Sequence, residues 1–273
     1  MVPLMTDFQF DQQAYLRRIG IEDSGQVEVN LDSLRRLLRH QIYAIPFENF
    51  DICLGRTIDL DPNHQFDKLV RHRRGGYCFE VNGLMLNALQ SFGFEARPLL
   101  ARVHGEDFIG GRDHQLTLVS LDHQQWIVDA GFGRDTPHCP LPLQLDKPIS
   151  CNKQNLKFAD GAHLGTLMQV ENAGRWTTLY SFDDTYAGPA DIKYSNHYTS
   201  THPDSHFVQR RVAALPIEGG VVTLSDQKLT IRKNGEQTEI HLPDNQQYLQ
   251  LLEQHLGIDL QVDYSQLKPL VED

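Results

Sequence analysis

The chain is organised around residues 73–83, whose sequence is RRGGYCFEVNG. Beyond this stretch, apolar residues recur at helical spacing at Val81, Met85 and Leu89. The pattern predicts that Cys78 lies in the first turn of a helix, where free backbone N–H groups and the helix dipole favour an anion. We therefore expect the Cys78 thiol to ionise more easily than a free thiol and to act as a nucleophile.

The residues just before Cys78 favour this interpretation over the commoner one, in which a cysteine is a small buried hydrophobe. Gly75 and Gly76 remove side chains that would block a substrate from reaching the sulfur. An arginine cluster precedes the glycines, and it either contacts an anionic cofactor or braces a helix end. Its members are Arg71, Arg73 and Arg74.

Composition limits the function classes. The 273 residues include 40% hydrophobic and 22% charged side chains, which is typical of a globular protein with two or three subdomains. The formal net charge of −11 argues against nucleic acid and against an anionic membrane as partners. The N-terminal residues lack a basic segment followed by an apolar run, so we expect no signal peptide.

Cysteine usage indicates the compartment. The chain has four cysteines, which are few for its length and show no paired spacing. They are Cys53, Cys78, Cys139 and Cys151. This usage predicts reduced thiols in a cytoplasmic protein rather than a disulfide framework.

Two changes of hydrophobic periodicity divide the chain into three parts and predict an α+β fold. Helical spacing predicts a helical bundle over residues 1–93. A period of two predicts an antiparallel sheet or small barrel over residues 94–195. Residues 196–273 combine a hairpin at Asn234-Gly235 with a further helix. The strands predicted in the middle part cover residues 96–103, 115–121, 126–130, 160–171 and 176–182, with a proline-rich loop at 137–148.

A cysteine nucleophile needs a base, and the base needs a group that orients it. His114 begins one predicted strand and Asp129 ends the next. If residues 122–123 form a two-residue hairpin loop, Leu121 faces Gln124, and Asp129 becomes a diagonal neighbour of His114 on the same face. A three-residue loop would place Asp129 on the other face, so the predicted pair depends on the strand register. Asp113 is a poorer orienter, because neighbours in an extended segment point to opposite faces.

These positions, together with further motifs in chain order, resemble the arylamine N-acetyltransferase family. The resemblance covers residues 15–256, and several independent motifs carry it. The motifs are IPFENF at 45–50, RGGYCFExN at 74–82, His114, VDxGFG at 128–133 and NHYTSTHPDSHF at 196–207.

The resemblance implies a cysteine-protease-like core with a triad of Cys78, His114 and Asp129. The three parts would be a helical bundle (1–93) with the nucleophile, an antiparallel β-barrel (94–195) with the base and acid, and an α/β lid (196–273). The implied activity is acetyl transfer from acetyl-CoA to arylamines, arylhydrazines or N-hydroxyarylamines, by a ping-pong mechanism through an acetyl-cysteine. The protein would be a monomer or a homodimer.

The resemblance also suggests where the substrates bind. Four residues fall where the family lines its aromatic-amine pocket, although each could equally belong to the core. They are Phe47, Val103, Phe132 and Phe207. The sequence lacks the glycine-rich phosphate motifs of nucleotide-binding proteins, so Arg74 and Gly131 are the candidates for cofactor contacts. Asp113 departs from the family, in which we expect an uncharged residue, and its carboxylate would act on the base or on the phosphates of the coenzyme.

Other functions use some of the same residues. A cysteine hydrolase, such as an amidase or a transglutaminase-like enzyme, would use the same triad with water as the acceptor. An inactive relative would bind coenzyme A or a protein partner, but it would not need all three triad residues. A metal site is not expected, because His197, His202 and His206 lie in a segment without a predicted helix.

Overall fold

A computed structural model describes residues 8–22 and 27–270 of the chain. Residues 1–7, for which the sequence predicts no signal peptide, lie outside this range. So do residues 23–26 of the first predicted part and residues 271–273 of the third. Within the described residues, no helix is both long and apolar enough to cross a membrane.

Helices dominate the first ninety residues and recur near the C-terminus. Side chains cap the first turns of several of them: at α2, Asn30 accepts a hydrogen bond from the Ser33 backbone N–H at 2.9 Å. The α-helices are α1 (Gln12–Arg18), α2 (Leu31–Ala44), α3 (Phe50–Cys53), α4 (Pro62–Phe66), α5 (Cys78–Ser91), α6 (Pro189–Thr201), α7 (His206–Gln209) and α8 (Gln247–Leu256). A π-helix over Asp67–Arg71 continues α4.

The strands form two antiparallel sheets. The strands are β1 (Phe47–Glu48), β2 (Glu95–Val103), β3 (His114–Leu121), β4 (Gln124–Val128), β5 (Leu141–Pro142), β6 (Ile149–Cys151), β7 (Gln154–Asp160), β8 (Thr166–Asn172), β9 (Arg175–Phe182), β10 (Val212–Ile217), β11 (Gly220–Ser225), β12 (Lys228–Lys233) and β13 (Glu236–His241).

The larger sheet, in the order β5-β4-β3-β2-β9-β8-β7-β6, curls into a nearly closed barrel. A bridge between Leu145 and Phe158 brings its two ends together. The register that the triad prediction required is confirmed, because Leu121 pairs with Gln124 across a two-residue turn. Both turn residues, Asp122 and His123, have positive φ (50° and 60°), as in the turns that match the twist of a hairpin.

The smaller sheet has the order β1-β10-β11-β12-β13 and packs against α8. Its first strand comes from the helical part, since Phe47 pairs with Ala214. The predicted boundary between residues 195 and 196 is wrong, because α6 crosses it without a break. The hairpin at Asn234-Gly235 is confirmed by the pairing of β12 with β13.

Two further sequence predictions need correction. Residues 160–171 are not one strand, because the chain turns through a 3-10 helix at Ala162–Leu164 between β7 and β8. The four cysteines are not all reduced: Cys139 and Cys151 form a disulfide, since the strand β6 brings their Cα atoms to 6.0 Å. Cys53 and Cys78 are free and buried.

One hydrophobic core joins the helical part to the barrel and fixes where the nucleophile lies. Leu34 and Leu38 of α2 pack in the same cluster as Met85 and Leu89 of α5. Barrel residues, among them Val119 of β3, complete this cluster. The N-terminus of α5 is therefore held against the strand that begins at His114.

Candidate active site

Cys78 is the first residue of α5, as predicted. The Glu80 carboxylate accepts a hydrogen bond from the Tyr77 backbone N–H at 3.2 Å, which closes the first turn of the helix. The Cys78 side chain is almost fully buried, with 3% of the residue exposed. The sulfur lies 3.8 Å from the backbone carbonyl oxygen of Asp113. The strand that carries the candidate base therefore passes directly beside the thiol.

The glycines before Cys78 serve a different purpose from the one predicted. A Cβ atom on Gly75 would lie 2.3 Å from the Pro46 carbonyl oxygen, and one on Gly76 would lie 2.8 Å from the Glu80 Cβ. Both positions thus need glycine for close backbone packing, and neither glycine serves to open a path to the sulfur.

His114 and Asp129 form a buried hydrogen-bonded pair. The His114 Nε2 atom lies 2.7 Å from the Asp129 Oδ2 atom, and the two residues are 2% and 1% exposed. The other carboxylate oxygen accepts hydrogen bonds from the Gly131 backbone N–H at 2.9 Å and from the Asn82 side chain at 3.1 Å. Asn82 lies one helical turn after Cys78, so it ties the nucleophile helix to the acid.

Cys78 and His114 open onto one cavity of about 960 Å³. The four residues proposed for the aromatic pocket all line it, namely Phe47, Val103, Phe132 and Phe207. The Phe132 ring lies edge-on to the imidazole, with 5.0 Å between centroids, and the Phe47 and Phe207 rings lie 5.9 Å apart. The structure therefore gathers residues that are up to 160 positions apart around the sulfur.

The electrostatics of the site differ from the expectation for Cys78. Burial raises the pKa of the Cys78 thiol well above its usual value, and the negative charges of Asp113 and Asp129 add to this effect. Hydrogen bonds from the Gln115 and Phe79 backbone N–H groups oppose it without overcoming it. The prediction that this thiol ionises more easily than a free thiol is therefore wrong for the thiol by itself, because desolvation is the larger effect.

Asp129 behaves in the opposite way. Burial acts to raise the pKa of its carboxyl group, but the charge of a protonated His114 and its hydrogen bond lower it, as do the hydrogen bonds from Gly131 and Asn82. The net pKa lies below the usual value for an aspartate. These contacts therefore favour the ionised form of Asp129, which is hydrogen-bonded to the imidazole of His114.

Asp113 also lines the cavity. Its carboxylate accepts a hydrogen bond from the Val103 backbone N–H at 3.5 Å, whereas the imidazole bonds to Asp129, in agreement with the alternation argument. Burial raises the pKa of the Asp113 carboxyl group.

Arg74 lies in the interior and does not line the cavity, so its placement argues against the predicted cofactor contact. Its Nη2 atom lies 2.7 Å from the Glu48 carboxylate and 3.4 Å from that of Asp51. Lys68 extends this ion network, with its Nζ atom 2.6 Å from Asp51 and 2.7 Å from Glu80. Arg74 therefore braces the start of α5. Gly131, the other candidate, does line the cavity, and a Cβ there would meet Val81 at 2.3 Å.

Sequence reasoning missed other cavity residues. Phe108 and Ile109 are exposed by 63% and 50%, and they line the cavity from a loop flanked by glycines. An exposed apolar pair between glycines is a signal that could have pointed to them. Three basic side chains also line the cavity, namely Arg134, Lys228 and Arg232.

The histidines of the last third are arranged differently from the prediction. His197 lies within α6 and His206 begins α7, so this segment is helical. Among the described residues, no group of three or more His, Cys, Asp or Glu side chains is placed to hold a metal ion.

This chain is similar in sequence to known proteins along most of its length. The sequence model of the N-acetyltransferase family matches residues 30–265. An arylamine N-acetyltransferase / N-hydroxyarylamine O-acetyltransferase of Salmonella typhimurium is 35% identical over 251 residues, which cover 90% of this chain and 88% of that protein. The chain belongs to the arylamine N-acetyltransferase family. The arylamine N-acetyltransferase of Escherichia coli is 34% identical over 241 residues, which cover 86% and 85% of the two chains.

Solved arylamine N-acetyltransferases share the fold. The Salmonella typhimurium structure superposes with a TM-score of 0.87 at 32% identity, over 96% of this chain and 97% of that one. The Mycobacterium marinum arylamine N-acetyltransferase, solved in complex with CoA, gives a TM-score of 0.87 at 30% identity, over 94% and 97%. The predicted resemblance is confirmed, and the chain is an acyltransferase enzyme.

Proposed function

We propose that this protein transfers an acetyl group from acetyl-CoA to arylamines, arylhydrazines or N-hydroxyarylamines through an acetyl-cysteine at Cys78. The observation that carries the proposal is the placement of a buried Cys78 and a His114–Asp129 pair on one aromatic-lined cavity. The Mycobacterium marinum relative, which was solved with CoA, supports coenzyme A as the carrier of the acetyl group.

The hydrogen bonds suggest how the first step runs. In its neutral form, His114 donates from Nε2 to Asp129, so Nδ1 is free to accept the Cys78 proton. Because an isolated thiolate is disfavoured here, it forms as one half of an ion pair with the imidazolium that Asp129 stabilises. The thiolate attacks the thioester carbonyl, coenzyme A leaves as a thiolate, and the imidazolium returns the proton to it.

The second step reverses these roles. The amine attacks the acetyl-cysteine carbonyl, His114 accepts a proton from the amine, and Cys78 leaves as the thiolate and is reprotonated. In the first step, the thioester of acetyl-CoA is exchanged for the thioester of the acetyl-cysteine. In the second step with an arylamine, that thioester is exchanged for the amide of the product. The reaction therefore balances without any further reactant.

The cavity walls favour an aromatic amine over water as the acceptor. Phe47, Phe132 and Phe207 give the cavity aromatic walls, against which a further aromatic ring can pack edge-on or offset. The same apolar walls reduce access of water to the acetyl-cysteine. This arrangement supports transfer over the cysteine hydrolase alternative.

The basic residues on the cavity are the candidates for the coenzyme phosphates. Arg134 and Arg232 can each offer a planar fork to a phosphate, and Lys228 a point charge. Two of the three already have a carboxylate partner, since Arg134 pairs with Asp135 at 3.3 Å and Lys228 with Glu239 at 2.8 Å. We propose these three residues, rather than Arg74, as the contacts of the coenzyme phosphates.

Intact-mass measurement tests the mechanism. After mixing with acetyl-CoA and no amine, we expect one acetyl adduct on the wild-type protein and none on Cys78→Ala. Cys53→Ser is the matched control, because Cys53 is the other free, buried cysteine, and it should still acquire the adduct. An adduct that persists in Cys78→Ala would refute the mechanism.

Discharge of the adduct separates the two candidate functions. If the protein is a transferase, adding an arylamine speeds the loss of the acetyl group and yields an acetylated amine. Rapid loss in buffer alone, with no acceleration by the amine, would favour the hydrolase.

A further inference from the structure

A second concave site lies on the helical part, away from the cavity that contains Cys78. It is a groove of about 800 Å³ where the end of α1, one face of α2 and Arg73 meet. The groove and the catalytic cavity have no lining residue in common. Its lining is strongly basic and includes Arg17, Arg18, Arg35, Arg36, Arg39 and Arg73. Among the described residues, Glu218 is the single carboxylate that lines it.

Helical spacing builds the basic face of the groove. Arg36, Arg39, His40 and Tyr43 follow the i, i+3, i+4, i+7 pattern, so they share one side of α2. The His40 ring nitrogen Nδ1 lies 3.1 Å from the Ile19 carbonyl oxygen, which holds this side of α2 against the end of α1. Five of the six guanidiniums are therefore carried on two helices with a fixed relative position, and Arg73 lies outside both helices.

The floor of the groove is a buried cation. Arg18 is 6% exposed, and its hydrogen bonds go to backbone carbonyl oxygens, those of Leu69 at 2.8 Å and Ala44 at 2.7 Å among them. It also donates to the Arg73 carbonyl oxygen at 3.3 Å. Carbonyl groups satisfy its donors without neutralising its charge. Burial and the charge of Arg73 lower the pKa of Arg18 to about 10.

Among the residues that the structure describes, most of the cations around this floor also lack a counterion. Within the described residues, no carboxylate forms an ion pair with Arg17, Arg36, Arg39 or Arg73, all of which are exposed. Arg35 pairs with Asp32 at 3.3 Å on the open surface. The chain as a whole carries a net charge of −11, so its composition does not account for this concentration of positive charge. Like charges on a shared concave surface repel each other, and a bound anion would relieve that repulsion.

We propose that this groove binds a small ligand that carries two or more linked phosphate groups. Guanidinium groups pair with phosphate oxygens in a planar, bidentate way, and several of them can surround a chain of phosphates. The groove volume lies in the range of about 300–1,000 Å³ that is typical of small-molecule sites. The negative charge of the rest of the molecule disfavours a long nucleic acid, which would extend beyond the basic face. The linked phosphates could come from an inorganic polyphosphate or from a nucleoside polyphosphate.

Isothermal titration of the full chain with inorganic tripolyphosphate tests the proposal. We expect one site, with an affinity that falls as the salt concentration rises, and a loss of tenfold or more in Arg36→Gln/Arg39→Gln. The matched control is Arg97→Gln/Arg175→Gln, which removes the same charge from two barrel strands. We expect its affinity to stay within twofold of the wild-type value. Arg36, Arg39 and Arg175 are exposed and Arg97 is half-buried, so circular dichroism verifies that each variant folds.

Several results would overturn the proposal. One is the absence of tripolyphosphate binding to the wild type, and another is an equal loss in the control variant. Loss in Lys228→Gln/Arg232→Gln instead would move the site to the catalytic cavity. Tighter binding of single-stranded DNA or of a polyglutamate peptide would assign the surface to a macromolecule. Comparison with a nucleoside triphosphate separates the two sources: tenfold tighter binding than tripolyphosphate identifies a nucleotide, and equal binding identifies the inorganic chain.

Discussion

At the scale of single residues, the central feature is a thiol whose surroundings oppose its ionisation. Cys78 is buried beside two carboxylates, and each of these effects raises its pKa. A nucleophile in such a place depends on a base that takes its proton and remains close. His114 lines the same cavity and is hydrogen-bonded to Asp129, so it can do so.

Asp113 offers a test of this balance. Its negative charge raises the pKa of the Cys78 thiol, so Asp113→Asn should lower that pKa and increase the thiolate fraction at a given pH. We expect the pH–rate profile for alkylation of Cys78 by iodoacetamide to shift to lower pH. Asp107→Asn, at an exposed carboxylate in the same loop, is the control and should leave the profile unchanged. An unchanged profile in Asp113→Asn, or a shift to higher pH, would contradict this explanation.

The pair of His114 and Asp129 could be predicted from the sequence, because hairpin geometry relates the two residues through a short loop. Cys78 could be predicted from its place at the start of a helical pattern. The sequence could not predict the pKa of Cys78, which depends on how deeply the folded protein buries the sulfur. The roles of Gly75 and Gly76 were wrong for a similar reason. The atoms that they accommodate belong to Pro46 and Glu80, whose approach is a property of the tertiary structure.

At the scale of elements, the start of α5 stands on a buried ion network. Arg74 and Lys68 lie between the carboxylates of Glu48, Asp51 and Glu80. Buried ion pairs contribute little net stability when intact, but removing one partner leaves an uncompensated charge. The network therefore holds the first turn of α5 in one position.

Asp51→Asn tests the contribution of this network. Burial acts to raise the pKa of Asp51, but the charges of Lys68 and Arg74 outweigh it and lower the pKa to about 2. Because the folded pKa lies below the unfolded one, the stabilisation is present above about pH 4 and is lost as the pH falls towards 2. We expect Asp51→Asn to lower the free energy of unfolding by about 2 kcal/mol at pH 7.

Urea denaturation at a series of pH values provides the measurement. The stabilities of the variant and of the wild type should approach each other as the pH falls through 2 and converge below it, where Asp51 is protonated in both states of the wild type. Asp32→Asn is the control, because its pair with Arg35 is exposed and should contribute less than about 1 kcal/mol. A difference between Asp51→Asn and wild type that stays constant with pH would show that its charge is not responsible.

Periodicity located the long elements well, as β2, β3 and α5 illustrate. It failed for short ones: β5 has two residues and β6 has three, too few to display a period. The helix α6 was missed because its exposed side chains, such as Tyr194 and Tyr198, leave no apolar stripe that marks a helix.

At the scale of the whole molecule, the buried side chain of Asn49 joins the helical part to the C-terminal part. Asn49 donates to the carbonyl oxygens of Phe207 and Arg210 at 2.7 Å each. It also accepts a hydrogen bond from the Val212 backbone N–H at 2.8 Å. Since Phe207 lines the cavity, this junction sets the position of one aromatic wall.

Asn49→Ala should therefore affect stability and substrate binding together. It leaves two carbonyl oxygens and one N–H group without their buried partner, so we expect a loss of about 2–4 kcal/mol in the free energy of unfolding. Displacement of Phe207 should raise the KM for an arylamine several-fold. Asn155→Ala, at an exposed position on β7, is the control for both measurements. A variant that is destabilised but has an unchanged KM would show that the hydrogen bonds of Asn49 do not control the aromatic pocket.

The sequence divided the chain into three parts, but it could not show how they share elements. The pairing of Phe47 with Ala214 joins residues more than 160 positions apart, and no local pattern encodes such a partner. The helix α6 likewise continues through a predicted boundary, since it runs from Pro189 to Thr201 without a break.

The contribution of β1 to the second sheet has a consequence for how the chain is made. During synthesis, β1 leaves the ribosome long before β10 exists. The edge of β1 that pairs with β10 therefore stays unpaired while the barrel strands are synthesised. Conversely, a fragment that contains the C-terminal strands alone would carry β10 with an open edge, and open edges recruit foreign strands. The smaller sheet is therefore not built from one contiguous segment, and the edge of β10 is covered by two residues of the helical part, Phe47 and Glu48.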